Sequence, residues 1–200
     1  MKKRKIRKVL VVVAHPDDET IWMGGTLLAN KRRWETIIIS LCRKNDPDRA
    51  PKFKKVCAAY NASCFISDLD DSEEGYFKDI STEEIKKRVR SFVGGAHFDC
   101  VFTHGKNGEY GHIRHKQVHR AIVEMMRKNE LSTEKLLFFD YRKKSVLCFA
   151  NARADKFINL RDVDLVRKKE LIKGFYGFDG KSFEVKCSRG TEAFKKSQKI

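Results

Sequence analysis

Two short stretches hold most of the residues whose types and spacing could do chemistry. The first is His15-Pro-Asp-Asp-Glu19, and the second runs His104-Gly-Lys-Asn-Gly-Glu-Tyr-Gly-His-Ile-Arg-His115. In the first, Pro16 fixes the turn between the histidine and two adjacent carboxylates, Asp17 and Asp18, which repel unless a proton or a cation separates them. Acidic residues at a helix start also serve as simple caps for free N–H groups, so that plainer role stands beside the chemical one. Four of the six histidines, at 104, 112, 115 and 119, fall close together. On a helix, positions 112, 115 and 119 share one face. Taken singly, each reads as part of a basic helix with Arg114, Lys116 and Arg120. Taken together, opposite an Asp pair, they suit a metal, because neutral imidazole and carboxylate match zinc or another first-row divalent ion. A catalytic zinc wants three protein ligands and one open position.

These loops need elements to position them, and the chain supplies short apolar runs alternating with stretches of helical period. That alternation implies βαβ units around a parallel sheet. Val9 to Ala14 is apolar without interruption, as a strand covered on both faces should be. A helix is predicted from about Asp18 to Arg33, interrupted by Gly24-Gly25 where something approaches closely. Further strands are predicted over Thr36 to Leu41, Cys64 to Ser67, Asp99 to Thr103, Leu136 to Tyr141 and Val146 to Phe149. The last two are predicted to be joined by a hairpin over Arg142 to Ser145. Helices are predicted over Ala50 to Asn61, from Ser81-Thr-Glu-Glu84 to about Val93, over His112 to Lys128 and over Asp162 to Phe175. Asp68 to Gly75 reads as an acidic loop, and the Lys/Arg-rich end as loosely ordered. The expectation is an α/β fold, a Rossmann-like three-layer sandwich with a mostly parallel central sheet, forming one domain over residues 1–200. In such sheets ligands bind outside the carboxyl ends of the strands, which is where both chemical loops fall.

Composition narrows the alternatives. Two hundred residues suit one sizeable core, and 41% hydrophobic residues exclude a disordered chain. The net charge of +16 would draw anionic partners. Nucleic acid is disfavoured, since no RNA-recognition, zinc-finger or helix-turn-helix signature is present and the acidic loop would break a basic groove. Six scattered cysteines without a Cys-x-x-Cys pair read as reduced thiols. The basic opening precedes an apolar run of only Val9 to Ala14, too short for an export signal or a membrane span. A soluble, cytoplasmic protein is expected, with weak contact to anionic membrane through its basic ends.

Ala14-His15-Pro16-Asp17-Asp18-Glu19 after the first strand, with Gly111-His112-Ile113-Arg114-His115 much later, resembles the LmbE-like or PIG-L family of metal-dependent deacetylases of N-acetylglucosamine derivatives. The likeness in layout extends through about residue 125. It implies Zn2+ or another divalent metal held by His15, Asp18 and His115, Asp17 as general base and later acid, and His112 as the group that stabilises the oxyanion or assists the leaving amine. Tyr110 stands where relatives carry a substrate-contacting tyrosine. The implied reaction removes an N-acetyl group from an N-acetylglucosamine-type sugar in a glycan or glycoconjugate; the rivals are a same-fold amidohydrolase acting on another acylated amine and a basic binding module. The chain departs from the family at Arg114, where relatives commonly carry Asp or Asn, so either another carboxylate, with Glu109 a candidate near in sequence, orients His112, or the role of His112 is weakened here. Lys52 likewise replaces an expected acid. After the second strand, Arg43 and Arg49 either belong to a polar turn or offer planar donor forks to sugar hydroxyls or an anionic group. Trp22 and Trp34 read as packing residues.

Overall fold

Val9 to Ala14 are fully buried, and the reason lies in how the chain surrounds them. The computed structural model describes residues 5–72 and 78–198; residues 73–75 of the expected acidic loop lie outside the described set. The first half runs β1 (Arg7–Val13), α1 (Asp18–Asn30), β2 (Trp34–Cys42), α2 (Arg49–Ala59), β3 (Ala62–Leu69), α3 (Thr82–Val93), β4 (His97–Phe98), β5 (Cys100–Thr103) and α4 (Ile113–Arg127). The second runs β6 (Ser132–Thr133), β7 (Leu136–Phe139), β8 (Tyr141–Lys144), β9 (Leu147–Ala150), β10 (Lys156–Asn159), α5 (Asp162–Glu170), a π-helical turn (Leu171–Phe175), α6 (Phe183–Cys187) and β11 (Thr191–Lys196).

Seven strands form the central sheet in the order β10-β11-β7-β5-β1-β2-β3. From β7 to β3 every pairing is parallel, while β11 runs antiparallel to both β7 and β10. The pleat sends Val9, Val11 and Val13 to a core shared with Trp22 of α1 and Phe53 of α2. Leu10, Val12 and Ala14 point the other way, against Val89 of α3 and Val118 of α4. Each such Val or Leu contributes about 1.5–3 kcal/mol by leaving water. A Rossmann-like three-layer α/β sandwich results, as the sequence predicts.

Local chemistry sets several boundaries. Ser81 caps α3, its hydroxyl accepting from the Glu84 N–H (3.2 Å). α1 is broken at Met23, whose φ of −147° is not helical, and the N–H groups of Gly25 and Thr26 turn to the Glu192 carboxylate on β11, both at 2.8 Å. A Cβ at Gly25 would lie 2.2 Å from the Leu160 side chain, so the close approach expected at the Gly pair is real.

Three expectations need correction. The run Leu136 to Tyr141 breaks at Asp140, and Tyr141–Lys144 is itself a strand paired with β9, so the hairpin turns at Ser145, which takes the left-handed φ of 54°. The final helix is α-helical only to Glu170 before widening into the π-helical turn. The basic C-terminal stretch is not loose: it forms β11 inside the central sheet, with Glu192, Ala193 and Phe194 fully buried. All six cysteines are free, and among the described residues no helix is long and apolar enough to cross a membrane.

Candidate metal centre and active site

Because β1 and β5 are neighbours in parallel register, the loops that follow them leave the sheet side by side. One hydrogen bond ties them, from the Ala14 N–H to His104 Nε2 (2.9 Å). Behind them Glu109, fully buried with φ of 56°, binds three groups at once: the Gly105 N–H (2.7 Å), His104 Nδ1 (2.9 Å) and His115 Nδ1 (2.6 Å). The two imidazoles stack with centroids 3.8 Å apart. With its Nδ1–H given to Glu109, His115 turns the Nε2 lone pair outward.

That Nε2 lies 3.3 Å from Asp18 Oδ2 and 3.3 Å from His15 Nδ1, and those two atoms are themselves 3.3 Å apart. Ligands placed about 2.0–2.1 Å from a tetrahedral zinc stand roughly 3.3–3.4 Å from one another, so the triangle has the size such an ion requires. Asp18 is held for the purpose by the His15 N–H on Oδ2 (2.9 Å) and the Trp22 indole N–H on Oδ1 (3.1 Å). Trp22 thus packs in the core and also anchors a carboxylate. His104 belongs to a trio with Asp18 and His115 that could hold an ion, but its Nε2 lone pair is taken by Ala14. Two other trios, His15 with His112 and His115 and His15 with Cys42 and Asp71, also gather donor atoms. His15 Nε2 sits 3.2 Å from Asp71 Oδ1 outside hydrogen-bonding geometry, while Asp71 Oδ2 takes the Nε–H and an Nη2–H of Arg43.

The charges of these groups follow from their surroundings. Burial opposes ionisation of Asp18, but the His115 and His104 imidazoles outweigh it and hold its carboxyl well below the usual range. Burial likewise opposes charge on His115, yet Asp18 and Glu109 lift it to about 9. Glu109, despite burial, is drawn down to about 2 by His104 and His115. Asp17 goes the other way: burial and the neighbouring Asp18 charge raise it well above normal, with Arg49 opposing. It does not cap α1, has φ of 115°, and directs Oδ2 to Arg49 Nη1 (3.0 Å) while its N–H donates to Glu19 (3.1 Å). A non-glycine residue at such a φ is strained backbone, which the plain capping role would not require.

His112 starts α4 as its N-cap, its Nδ1 accepting from the Arg114 N–H (3.2 Å), so Nε2 carries the proton of the neutral ring. Burial, then His115 and His15, depress its pKa to about 3. The anticipated partnership with Glu109 does not form, because that carboxylate is committed to His104 and His115. Arg114 is turned aside, its guanidinium on the Asp70 and Lys78 carbonyls and on Gln117. His119 leaves the group altogether; it binds the His104 carbonyl and packs on Phe138.

A cavity of about 230 Å³ opens over these atoms, lined by His15, Asp17, Asp18, Tyr110 and His112, with Arg43 and Arg49 at its rim. His115 lies fully buried. Every expected site residue is therefore at this one place. Burial and the Asp18 charge raise the Tyr110 hydroxyl, keeping it a phenol. Lys52 pairs with Asp48 (2.6 Å) and is not among the lining residues. The sequence reading missed Asp71, which belongs to the acidic loop, and Phe183 and Glu184 of α6, which carry no motif.

Residues 10–126, which contain both loops, match the family model described as PIG-L, GlcNAc-PI de-N-acetylase. The chain belongs to the PIG-L family. Among relatives, the uncharacterized protein L374 of Acanthamoeba polyphaga mimivirus is 25% identical over 132 residues, covering 58% of this PIG-L chain and 56% of L374. The chain thus spans little more than half of that relative's length. Two solved structures share the PIG-L chain's fold: the conserved protein TT1542 from Thermus thermophilus, with a TM-score of 0.69 at 17% identity over 98% of this chain and 96% of that one, and GalB, the 4-carboxy-2-hydroxymuconate hydratase from Pseudomonas putida KT2440, with 0.63 at 12% over 98% of each. At such identities the likeness is one of fold alone. Phe183 and Glu184 lie beyond the residues matched by the family model.

Proposed function

We propose that the protein is a hydrolase dependent on zinc or another divalent ion, which removes the acetyl group from an N-acetylglucosamine-type sugar in a glycan or glycoconjugate. The observation that carries the reading is the 3.3 Å triangle of His15 Nδ1, Asp18 Oδ2 and His115 Nε2. It consists of nitrogen and carboxylate donors, which suit zinc, and a carboxylate behind His115 orients one ligand in the manner common to zinc sites. When bound, the ion would lower the pKa of a water toward neutrality and polarise the amide carbonyl.

The chain's own residues do the rest. Asp17, a stronger base than a free carboxylate because it is buried beside Asp18, takes the proton from the attacking water and returns it to the departing amine. His112 donates its Nε2–H to the carbonyl oxygen as that oxygen gains charge. Tyr110 contacts the acylated sugar, and Arg43 and Arg49 direct donors toward its hydroxyls or an attached anionic group. Acetate leaves and a free amine remains on the sugar. The cavity, below the roughly 300–1,000 Å³ usual for drug-sized ligands, suits one monosaccharide ring with the remainder outside.

The test is metal analysis with acetate release from a panel of N-acetylated sugars and other acylated amines. Near-stoichiometric metal in the purified protein, lost in His15→Ala and Asp18→Ala, is expected. Retention of metal by both variants would overturn the centre, and release from the amines alone would move the substrate. Asp17→Asn should keep metal while turnover falls about 100- to 10,000-fold; an unchanged rate removes Asp17 as the base.

A further inference from the structure

On the far side of the β5–α4 loop from the catalytic cavity lies a second concavity, a groove of about 1120 Å³. The two share no lining residue. Lys106, Lys116 and Arg127 stand on its α4 side, and Arg142, Arg153 and Lys196 on its sheet side. None of the six has an ion pair among the described residues, whereas the seventh base, Lys195, pairs with Asp155 (2.7 Å). Seven bases against one acid, Asp140, is far more one-sided than the chain's 43 to 27. A concave wall of one sign focuses the field and concentrates anions.

One feature goes beyond charge. The half-buried Phe138 ring packs on His119 (centroids 4.5 Å apart) and, with Val123, gives the groove an apolar surface. Asp140, the one acid amid the bases, is turned to Asn151, from which Oδ1 accepts (2.8 Å).

We infer that this groove binds a small ligand joining two or more phosphates to a planar ring, the chemistry of a nucleoside polyphosphate. The bases on both walls take the phosphates, and the Phe138 surface takes the ring. A bare polyphosphate would satisfy only the first of these. The inference does not depend on the metal centre.

Isothermal titration with ATP, tripolyphosphate and a single-stranded oligonucleotide, at about 50 and 200 mM salt, tests it on the wild type, on Lys116→Glu/Arg142→Glu and on Phe138→Ala. ATP should bind with one-to-one stoichiometry, about tenfold or more tighter than tripolyphosphate. The charge-reversed protein should lose ATP affinity by at least about tenfold, with its metal content and deacetylation rate unchanged. Phe138→Ala should close most of the gap between ATP and tripolyphosphate. Equal affinity for the two in the wild type would overturn the inference, as would an oligonucleotide that binds more tightly than ATP with a steep loss in salt. Should a variant fail to fold, the wild-type comparison still decides.

Discussion

At the proposed metal site of His15, Asp18 and His115, a proton and a divalent cation would compete for the same atoms. His115 is held at about 9, and although burial opposes charge on His15, the neighbouring Asp18 and Asp71 carboxylates raise it above its ordinary value, so protons compete with a metal for both rings. Apparent metal affinity should therefore climb with pH, about tenfold per unit for each proton displaced, and level off near pH 9. Chelator competition across pH measures this, and a pH-independent affinity would contradict it. Arg49 acts on the neighbouring Asp17 with the opposite sign. Its guanidinium, 3.0 Å away, favours the ionised carboxylate, so Arg49→Met should raise the Asp17 pKa and move the acidic limb of kcat/KM to higher pH. A lower kcat/KM with the limb unmoved would mean that Arg49 serves the substrate only. At this scale the sequence was informative where chemistry is written in adjacent residues: His15, Asp17 and Asp18 share a turn, and His112 and His115 share the start of a helix. Glu109, only a candidate partner for His112 in the sequence, instead serves two other rings, because at φ of 56° its carboxylate meets the imidazoles of His104 and His115.

At the scale of elements, the break in α1 matters as much as the helix. Freed from the helical ladder, the N–H groups of Gly25 and Thr26 find Glu192 on β11, which also accepts from the Thr26 hydroxyl (2.6 Å) and from Lys168 of α5 (2.8 Å). Both charged partners are almost wholly buried. Glu192→Ala should cost roughly 3–5 kcal/mol, since it strands a buried ammonium and two amides, and urea denaturation should show it. A loss below about 1 kcal/mol would mean that water replaces the carboxylate. Gly24-Gly25 announced a close approach, yet nothing near it names a glutamate 167 residues away. β11 escaped detection for a related reason. It shows no alternation: the consecutive Glu192, Ala193 and Phe194 are buried on both faces, one of them charged, and Lys195 and Lys196 that follow are exposed. Tyr141–Lys144 hid in the same way, with three exposed basic residues after one buried tyrosine.

Over the whole molecule, the alternation of apolar runs and helical stretches sufficed for the layers and for the parallel order of β1, β2, β3 and β5, because strands buried on both faces leave an unbroken apolar signature. The side of the cavity built by α6 was invisible, since Phe183 and Glu184 arrive from the far end of the chain and only the fold brings them there. The same distance in sequence governs when the centre can exist. The donors of the triangle flank the β1–β5 pairing, in which Val9 lies beside Cys100, so the pairing must close a long stretch of chain before His15 can meet His115. Helices formed early in refolding would bring no ligand to its partner. Stopped-flow refolding should accordingly show far-UV ellipticity recovering ahead of zinc uptake, and a chain that captures the ion in step with its helices would argue that the two halves of the centre meet before the sheet is built. The proposed metal site would thus be a late clock on folding, a reporter that registers only when the middle of the sheet has closed.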